Sequence, residues 1–433
     1  MKHWKELYEE RKMSAEEAAT HIKDGDRIVV AHGIGAPLPV LQAIADHKDA
    51  YKNVSLHHMM TVGSTPYAGA GMPGHLNLNA CFISSGYRGL LEEGLIDLSP
   101  LHFSEFPEWL EHEVDSNVVV VVTSPPDEHG FVCCGLNCDY TIPAARRART
   151  IIAEVNPNCP TVYGDTFIHV SDIECFVETD RPMSETLSKE TTEIEQKIGG
   201  YCAELIRDGA TLQLGVGGIP DAVLPFLMKK KDLGIHSEVI GDGVQVLMEA
   251  GVITGKEKTI NKGLVVSASL FGSHAFHRFA NRNPAIELRP VDYTNDPRII
   301  AQHKNMVSIN ATVQVDLTGQ VNSEYMGGKQ FSGMGGQVDF VRGAKMAEGG
   351  ISIIACSSTA KGGKISKIVP VLDAGAPVTT ARTDVDFIVT EYGIAQLGGK
   401  SLLERAKALI QVAHPDFRDG LREEAERRYK RRL

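Results

Sequence analysis

The stretch "IRDGATLQLGVGGIPDAVLPFLMKK", residues 206–230, decides the fold class. It runs from an Asp-Gly turn through a short strand-like run into a glycine-rich turn, and then into apolar positions at helical spacing. Pro220 falls near the start of the predicted helix, where the amide hydrogen that proline lacks would have no partner. Strand, glycine turn and helix in this order are typical of parallel α/β sheets.

The same plan occurs a second time, in "IKDGDRIVVAHGIGAPLPVLQAIADH" at residues 22–47. Further along, "SLHHMM" in the first copy corresponds to "GIHSEVI" in the second. Aligning His57 with His236 sets Met59 opposite Glu238. We interpret the echo as an internal duplication in which only the second copy carries the carboxylate. The alternative is convergence, because this α/β unit is common.

Other β-branched runs alternate with helical stretches along the whole chain. They are "NVVVVVTS", "TIIAEVN", "KGLVVSAS", "MVSINATVQV", "GISIIACSS" and "VDFIVTEYG". This alternation predicts an α/β protein with two similar open α/β/α domains and mainly parallel sheets. A polar segment near mid-chain places the boundary at about residue 190. We therefore expect an N-terminal domain over 1–190 and a C-terminal domain, carrying Glu238, over 191–433.

Composition narrows the class of protein. A net charge of −11 argues against a nucleic-acid partner. Eight cysteines are scattered through the chain, and the cluster Cys133, Cys134 and Cys138 lacks the paired spacing of a metal site. We expect reduced thiols and no bound metal. There is no apolar signal core and no apolar run of membrane-spanning length, so the expected location is cytoplasmic, without a membrane partner.

The glycine turn of the second copy, with Gly215, Gly217 and Gly218, leaves three interpretations open. Glycines allow tight backbone packing, and they also let amide groups approach a ligand. At a helix N-terminus such amides suit an anion or a developing oxyanion. Dinucleotide binding is the third interpretation, although Pro220 stands where the fingerprint requires a third glycine.

Two further glycine-rich stretches are candidate ligand loops. "SGMGGQVDFVRGA", residues 332–344, would let a flexible pantetheine-like group lie along the backbone near Gly336. "STAKGGKISKIVP", residues 358–370, combines glycines with Lys361 and suits phosphate contacts. An ordinary flexible loop and solvated surface lysines are the respective alternatives.

The stretch "GIHSEVIGDG", residues 234–243, is interpreted as a loop that carries Glu238. From the residues alone Glu238 is either a surface acid or a reactive carboxylate. His236 precedes it by two positions, and either orients the carboxylate or is simply packed.

Taken together, these motifs resemble the acetyl-CoA hydrolase/transferase family of class I CoA-transferases. The resemblance rests on "LQLGVGGIPDAV", "LGIHSEVIGDGVQVLMEAGVITG", "SGMGGQVDFVRGA" and "TDVDFIVTEYGIAQLGGKSL", and in the N-terminal half on "VTSPPDEHGF", "AEVN" and "YGDTFIHVSDI". It covers nearly the whole chain. Within the family the sequence is most similar to the 4-hydroxybutyrate CoA-transferases, followed by the butyryl-CoA:acetate CoA-transferases.

The resemblance implies that Glu238 is the covalent nucleophile and that the amides of Gly217 and Gly218 form an oxyanion hole. It also implies coenzyme A as a substrate, no permanently bound cofactor, and a homodimer. The implied CoA-binding residues are Gly215, Val216, Gly217, Gly218, Ile219, Val313, Gly336, Lys361 and Gly363.

The expected activity is transfer of CoA between an acyl-CoA and a short-chain carboxylate. The donor–acceptor pair would be acetyl-CoA/acetate with 4-hydroxybutyrate or butyrate, in a ping-pong mechanism through a glutamyl-CoA thioester. The alternatives are an acyl-CoA hydrolase, in which water replaces the acceptor acid, and a non-catalytic nucleotide-binding protein.

Overall fold

A computed structural model describes residues 3–187 and 189–433, so that residues 1, 2 and 188 lie outside it. The strands, in chain order, are β1 Arg27–Val30, β2 Val54–His58, β3 Leu76–Ala80, β4 Asp97–Leu98, β5 Val118–Thr123, β6 Phe131–Cys133, β7 Thr150–Val155, β8 Tyr163–Gly164, β9 Phe167–His169, β10 Cys175–Glu178, β11 Thr211–Leu214, β12 Gly234–Ile240, β13 Val265–Leu270, β14 Ile286–Leu288, β15 Met306–Ala311, β16 Gln314–Asp316, β17 Val321–Asn322, β18 Tyr325–Met326, β19 Lys329–Gln330, β20 Ile351–Ala355, β21 Thr359–Ala360, β22 Ile365–Ser366, β23 Ile368–Val369, β24 Phe387–Thr390 and β25 Gly393–Gln396.

The helices alternate with these strands, as the sequence predicts. They are α1 Trp4–Glu10, α2 Ala15–Ala19, α3 Leu38–Asp46, α4 Arg88–Glu92, α5 Phe106–His112, α6 Thr141–Ala145, α7 Glu193–Leu205, α8 Gly218–Leu227, α9 Asp242–Glu249, α10 His274–Ala280, α11 Val291–Thr294, α12 Pro297–Ile300, α13 Gln337–Met346, α14 Leu402–Val412 and α15 Pro415–Tyr429.

Contacts along the chain define two compact units. The first comprises residues 1–187 and 266–294, and the second comprises residues 188–265 and 295–433. The chain therefore leaves the second unit once, for 29 residues, and returns to it at Asn295. The proposed domain boundary at residue 190 remains a prediction about independent folding.

The first unit contains a seven-stranded sheet in the order β10-β7-β5-β1-β2-β3-β4. Every neighbouring pair in it is parallel. Parallel sheets are normally covered on both faces, and their strands accordingly read as continuous apolar runs. The strand β5 shows this directly, because all six of its residues are buried.

The second unit contains the strands β25-β24-β20-β15-β11-β12 in this order. Five of the six run parallel, and only β25, at the edge, is antiparallel to its neighbour. An apolar cluster that includes Val341, Ile354, Ile388 and Leu409 packs helices against this sheet.

The strand register supports the internal echo. In the first unit Val29 of β1 pairs with His57 of β2. In the second unit Leu212 of β11 pairs with Ile235 of β12, so continuing by one residue sets Gln213 opposite His236. The two histidines aligned by sequence thus occupy the same place in their sheets. The predicted fold class, two similar open α/β units with mainly parallel sheets, is confirmed.

One local prediction is wrong. Residues 234–240, interpreted from sequence as part of a loop, form the strand β12. His236 and Ser237 interrupt the apolar run, so the sequence pattern does not indicate a strand. Both residues are nevertheless fully buried. The pairing with β11, rather than the local sequence, makes this segment a strand.

The eight cysteines are all buried and unbridged. Burial raises the pKa of each of these thiols, which keeps them protonated. None of the helices in the described residues is both long enough and apolar enough to span a membrane.

Candidate active site

Glu238 lies near the carboxyl end of β12, beside the turn that follows β11. The Ser237 hydroxyl lies 3.1 Å from the carbonyl oxygen of Leu214, the last residue of β11. Continuing the β11–β12 register sets Gly215, the first residue of the glycine turn, opposite Glu238. In open α/β sheets this edge is where ligands bind.

The Glu238 carboxylate is held by an amide from a distant part of the second unit. The Asn295 side chain donates from Nδ2 to Oε2 of Glu238 over 2.7 Å. Asn295 is fully buried, whereas Glu238 is half-buried. This hydrogen bond orients the carboxylate, and its partial exposure leaves it accessible to a ligand.

Gly336 lies directly against the same carboxylate. A methyl group added to Gly336 would come within 1.9 Å of Glu238 Oε2 and 2.3 Å of Asn295 Nδ2. Gly336 is also the N-cap of α13, so the carboxylate lies at the start of this helix. The positive end of a helix dipole favours negative charge there.

The glycine turn presents backbone to open space. Gly217 has φ = +119°, which glycine adopts readily, and it is the N-cap of α8. A methyl group added to Gly215 or to Gly217 would meet nothing within 4 Å. At Gly218, by contrast, it would come within 2.1 Å of a carboxylate oxygen of Glu195. The amide groups of Gly217 and Gly218 therefore lie at an exposed helix N-terminus, which suits an anion.

His236 points to the same side of β12 as Glu238, because side chains alternate along a strand. Its ring packs 4.5 Å from that of His303 and 6.3 Å from that of Phe340, one turn beyond Gly336 on α13. Burial, and secondarily the charge of Lys258, lowers the pKa of His303 to about 3. His236 thus packs among buried aromatic rings, and a role in orienting Glu238 stays a prediction.

Apart from Gly336, the predicted CoA-binding residues follow three neighbouring strands of the second unit, β11, β15 and β20. The turn Gly215–Ile219, with Val216, follows β11. Val313 follows β15, where its amide donates to the carbonyl oxygen of Asn322. Lys361 and Gly363 lie in the turn between β21 and β22, after β20.

The contacts to Glu238 differ among these residues. Gly336 lies in direct contact with the Glu238 carboxylate. Gly363 lies in an exposed turn where an added methyl would meet nothing within 4 Å, and Lys361 is exposed as well. No group of three or more His, Cys, Asp or Glu side chains in the described residues is arranged to hold a metal ion.

Asn295 is the functional candidate that sequence analysis missed. Its context, "DYTNDPRII", reads as the start of a helix, with Asp296 capping α12. An asparagine 57 positions after Glu238 carries no local signal of contact with it.

Comparison with known proteins identifies the family. The model of the acetyl-CoA hydrolase/transferase N-terminal domain matches residues 1–185, and that of the C-terminal domain matches residues 272–425. The chain belongs to the acetyl-CoA hydrolase/transferase family. The resemblance inferred from its motifs is thereby confirmed.

Similar proteins of this family carry transferase names. The 4-hydroxybutyrate coenzyme A transferase of Clostridium kluyveri is 48% identical over 98% of this chain and 100% of its own. The succinyl-CoA:cyclohexane-1-carboxylate CoA transferase of Geobacter metallireducens is 41% identical over 97% of this chain and 96% of its own.

A solved structure is similar over the same extent. The 4-hydroxybutyrate CoA-transferase of Porphyromonas gingivalis superposes with a TM-score of 0.86 at 41% identity, covering 98% of this chain and 100% of that one. The enzyme is an acyl-CoA:carboxylate CoA-transferase, as its sequence motifs predict.

Proposed function

We propose that Glu238 is the nucleophile of this CoA-transferase and that the reaction passes through a glutamyl-CoA thioester. The observation that carries the proposal is the carboxylate of Glu238, held by Asn295 against Gly336 at the carboxyl edge of the sheet. The alternative of a surface acid does not account for the short hydrogen bond from a buried amide to this carboxylate.

The proposed chemistry balances in two half-reactions. A Glu238 oxygen attacks the thioester carbonyl carbon of the donor, the carbon–sulfur bond breaks, and a mixed anhydride and CoA thiolate form. The thiolate attacks the glutamyl carbonyl, which gives the glutamyl-CoA thioester and releases the donor acid as a carboxylate. The acceptor carboxylate then attacks the glutamyl thioester, and the same steps run in reverse. Covalent catalysis of this kind gives ping-pong kinetics.

The tetrahedral intermediates carry an oxyanion, for which the amides of Gly217 and Gly218 are the proposed donors. They lie at the N-terminus of α8, in the turn after β11, the strand that pairs with β12 and thus with the strand of Glu238. Losing one such donor typically costs about 3–4 kcal/mol of activation free energy.

We propose that CoA lies along the loops that follow β11, β15 and β20. Backbone from Gly215 to Ile219, with Val216 between them, would line its reacting end together with Gly336. Val313, Lys361 and Gly363 would contact the remainder, with Lys361 suited to a phosphate. The proposed reaction requires no permanently bound cofactor, because CoA takes part as a substrate. The family resemblance makes a homodimer the expected assembly. The eight buried free thiols support a cytoplasmic location.

The proposed acceptor is 4-hydroxybutyrate, with acetyl-CoA as donor. Its support is the name of the relative with 48% identity over the full chain and of the structure with 41% identity. Butyrate is the second acceptor to compare, and kcat/KM for the two acids measured side by side decides between them.

Trapping tests the nucleophile. The enzyme is incubated with acetyl-CoA, treated with borohydride and digested, and the peptide that contains residue 238 is weighed by mass spectrometry. We expect reduction of the Glu238 thioester to the alcohol, and no such product in a Glu238→Gln control. A Glu238 peptide of unchanged mass under conditions of turnover would reject the proposal.

Acceptor dependence separates transferase from hydrolase. We expect chromatography to show 4-hydroxybutyryl-CoA formation that depends on added 4-hydroxybutyrate, with little free CoA in its absence. Rapid hydrolysis of acetyl-CoA without any acceptor acid would favour the hydrolase instead.

A further inference from the structure

Gln337 is the first residue of α13 and directly follows Gly336, the glycine in contact with the Glu238 carboxylate. Its side chain is 9% exposed, so its polar atoms need partners within the protein. Because the two residues are adjacent, the hydrogen bonds of the Gln337 side chain help to determine the position of Gly336.

The Gln337 amide nitrogen bonds to two hydroxyl oxygens from separate segments. Nε2 lies 2.9 Å from Oγ of Ser323 and 3.0 Å from Oγ1 of Thr380. A primary amide has two hydrogens to donate, and two acceptors use both.

The hydrogen bonds continue from Ser323 to the end of β15. Oγ of Ser323 lies 3.2 Å from Oγ1 of Thr312, which in turn donates to the carbonyl oxygen of Asn322 over 2.8 Å. Thr312 immediately precedes Val313, a proposed CoA contact. Three side chains, Gln337, Ser323 and Thr312, thus join the residue after Gly336 to the residue before Val313.

The segment that carries Ser323 is itself fixed. Its amide donates to Oγ1 of Thr379, and that hydroxyl donates to the buried carboxylate of Glu324 over 2.8 Å. Thr380 is tied to Val321 by two backbone hydrogen bonds. The segments that carry Ser323 and Thr380, the two acceptors of Gln337, are therefore fixed by hydrogen bonds of their own.

We propose that Gln337 is a positioning residue of the transferase reaction. Its amide fixes Gly336, at the nucleophile, relative to Val313, at the CoA chain. The inference rests on the proposed function, in which Glu238 attacks the thioester and both residues contact CoA. A misplacement of the reacting groups by about 1 Å is enough to lower a rate about 100-fold.

The test compares two substitutions of matched size. Gln337→Met retains the volume and donates no hydrogen bond, and Gln337→Glu retains the shape but replaces the donating NH2 group with a charged oxygen. Ser323→Ala interrupts the same connection at its centre and serves where a Gln337 variant does not fold. Thr390→Val is the control, because it removes a buried hydroxyl that donates to Val412 in the same unit, away from these residues.

Steady-state kinetics with acetyl-CoA and 4-hydroxybutyrate provides the measurement. For Gln337→Met and Ser323→Ala we expect kcat to fall about ten-fold, because each substitution removes two hydrogen bonds of this connection and lets Gly336 shift. KM for acetyl-CoA should rise while KM for the carboxylate stays within about two-fold of the parent value. Gln337→Glu should lose at least as much activity, and Thr390→Val should retain the parent constants.

Two results would overturn the inference. One is a Gln337→Met enzyme with parental kcat and parental KM for acetyl-CoA. The other is equal losses in Gln337→Met and Thr390→Val, which would indicate general destabilisation. Trapping at Glu238 in the parent enzyme is judged separately. An absent adduct would refute the proposed nucleophile, whereas the kinetic constants would still decide the role of Gln337.

Discussion

A neutral amide is a suitable partner for a carboxylate that must react. Asn295 donates one short hydrogen bond to Glu238, and this neutral donor places no charge of its own beside the proposed nucleophile. A paired lysine or arginine would stabilise the negative charge of the carboxylate more strongly, and the carboxylate would then be a weaker nucleophile. The hydrogen bond from a neutral donor to an anion contributes about 1.5–3 kcal/mol.

Replacing Asn295 tests this orientation. Asn295→Ala should lower kcat by about 10- to 100-fold, the kinetic equivalent of that hydrogen-bond energy. Asn295→Asp would place a second carboxylate beside Glu238. The two carboxylates would share a proton, which would raise the pKa of Glu238, so the activity of this variant should increase with pH if Glu238 is the nucleophile. Parental activity in Asn295→Ala would show that the Asn295 side chain does not contribute to catalysis.

A methyl group at Gly336 should displace the carboxylate of Glu238, the proposed nucleophile. Gly336→Ala places carbon 1.9 Å from Glu238 Oε2, so the carboxylate or the helix start must move, and kcat should fall about 100-fold. Gly420→Ala is the matched control, since its methyl group meets nothing within 4 Å in the exposed face of α15. If the two variants are equally active, the contact is unimportant for catalysis.

At the residue scale, sequence analysis found only some members of this site. Glu238 and Gly336 were predicted from a family resemblance, and residue physics alone left both undecided. Asn295 was missed because its partner is 57 positions away, and an asparagine before a helix cap has an ordinary local explanation.

At the scale of elements, α7 and α8 pack closely enough to require glycine. A methyl group at Gly199 of α7 would come within 2.2 Å of the carbonyl oxygen of Ala222 in α8. One turn earlier, Glu195 of the α7 capping box lies against Gly218. The helix α7 thus helps to fix the start of α8, where the proposed oxyanion donors lie.

The Gly199→Ala substitution should therefore destabilise the protein. Overpacking of this kind costs about 1–3 kcal/mol, whereas alanine at an exposed helical glycine such as Gly420 stabilises by roughly 0.5–1 kcal/mol. Urea unfolding of the two variants beside the parent measures both effects. Opposite signs are expected, and a stabilised Gly199→Ala protein would contradict the packing described.

The predicted elements succeeded where burial and apolar pattern coincide. The valine run of β5 is a strand throughout. The run "MVSINATVQV" is instead divided, with β15 ending at Ala311 and β16 beginning at Gln314. The strand β12 was missed because contacts with distant segments bury its polar residues, and no local pattern contains those contacts.

At the scale of the whole molecule, buried histidines predict sensitivity to acid. Burial lowers the pKa of His57 to about 4 and those of His58 and His303 to about 3, against 6.5 for a free histidine. As the pH falls below 6.5, these histidines bind protons in the unfolded chain but stay neutral in the folded protein. Each group then favours unfolding by about 1.4 kcal/mol per pH unit, down to its folded pKa.

Unfolding midpoints at pH 7.5, 6 and 5 measure this effect. We expect a progressive loss of stability on acidification, and a smaller loss in His303→Leu, which removes one of the three groups. A midpoint that is constant between pH 7.5 and pH 5 would contradict the lowered pKa values.

The chain path also has consequences for domain organisation. Residues 266–294 belong to the first unit although the flanking residues belong to the second. The sequence pattern predicted two similar halves correctly as a fold class, because repeated strand–turn–helix units are local. It could not reveal the excursion, because membership of a unit depends on contacts between distant segments.

The burial of all eight thiols has a further consequence for an enzyme that handles acyl-CoA. Thioesters exchange readily with exposed thiolates, so a reactive cysteine on this protein would become acylated by its own substrate and drain it. Sheltered, protonated sulfhydryls avoid that side reaction. The native enzyme should accordingly give almost no colour with a disulfide dye such as Ellman's reagent, so that liberated coenzyme can be followed continuously against a blank background.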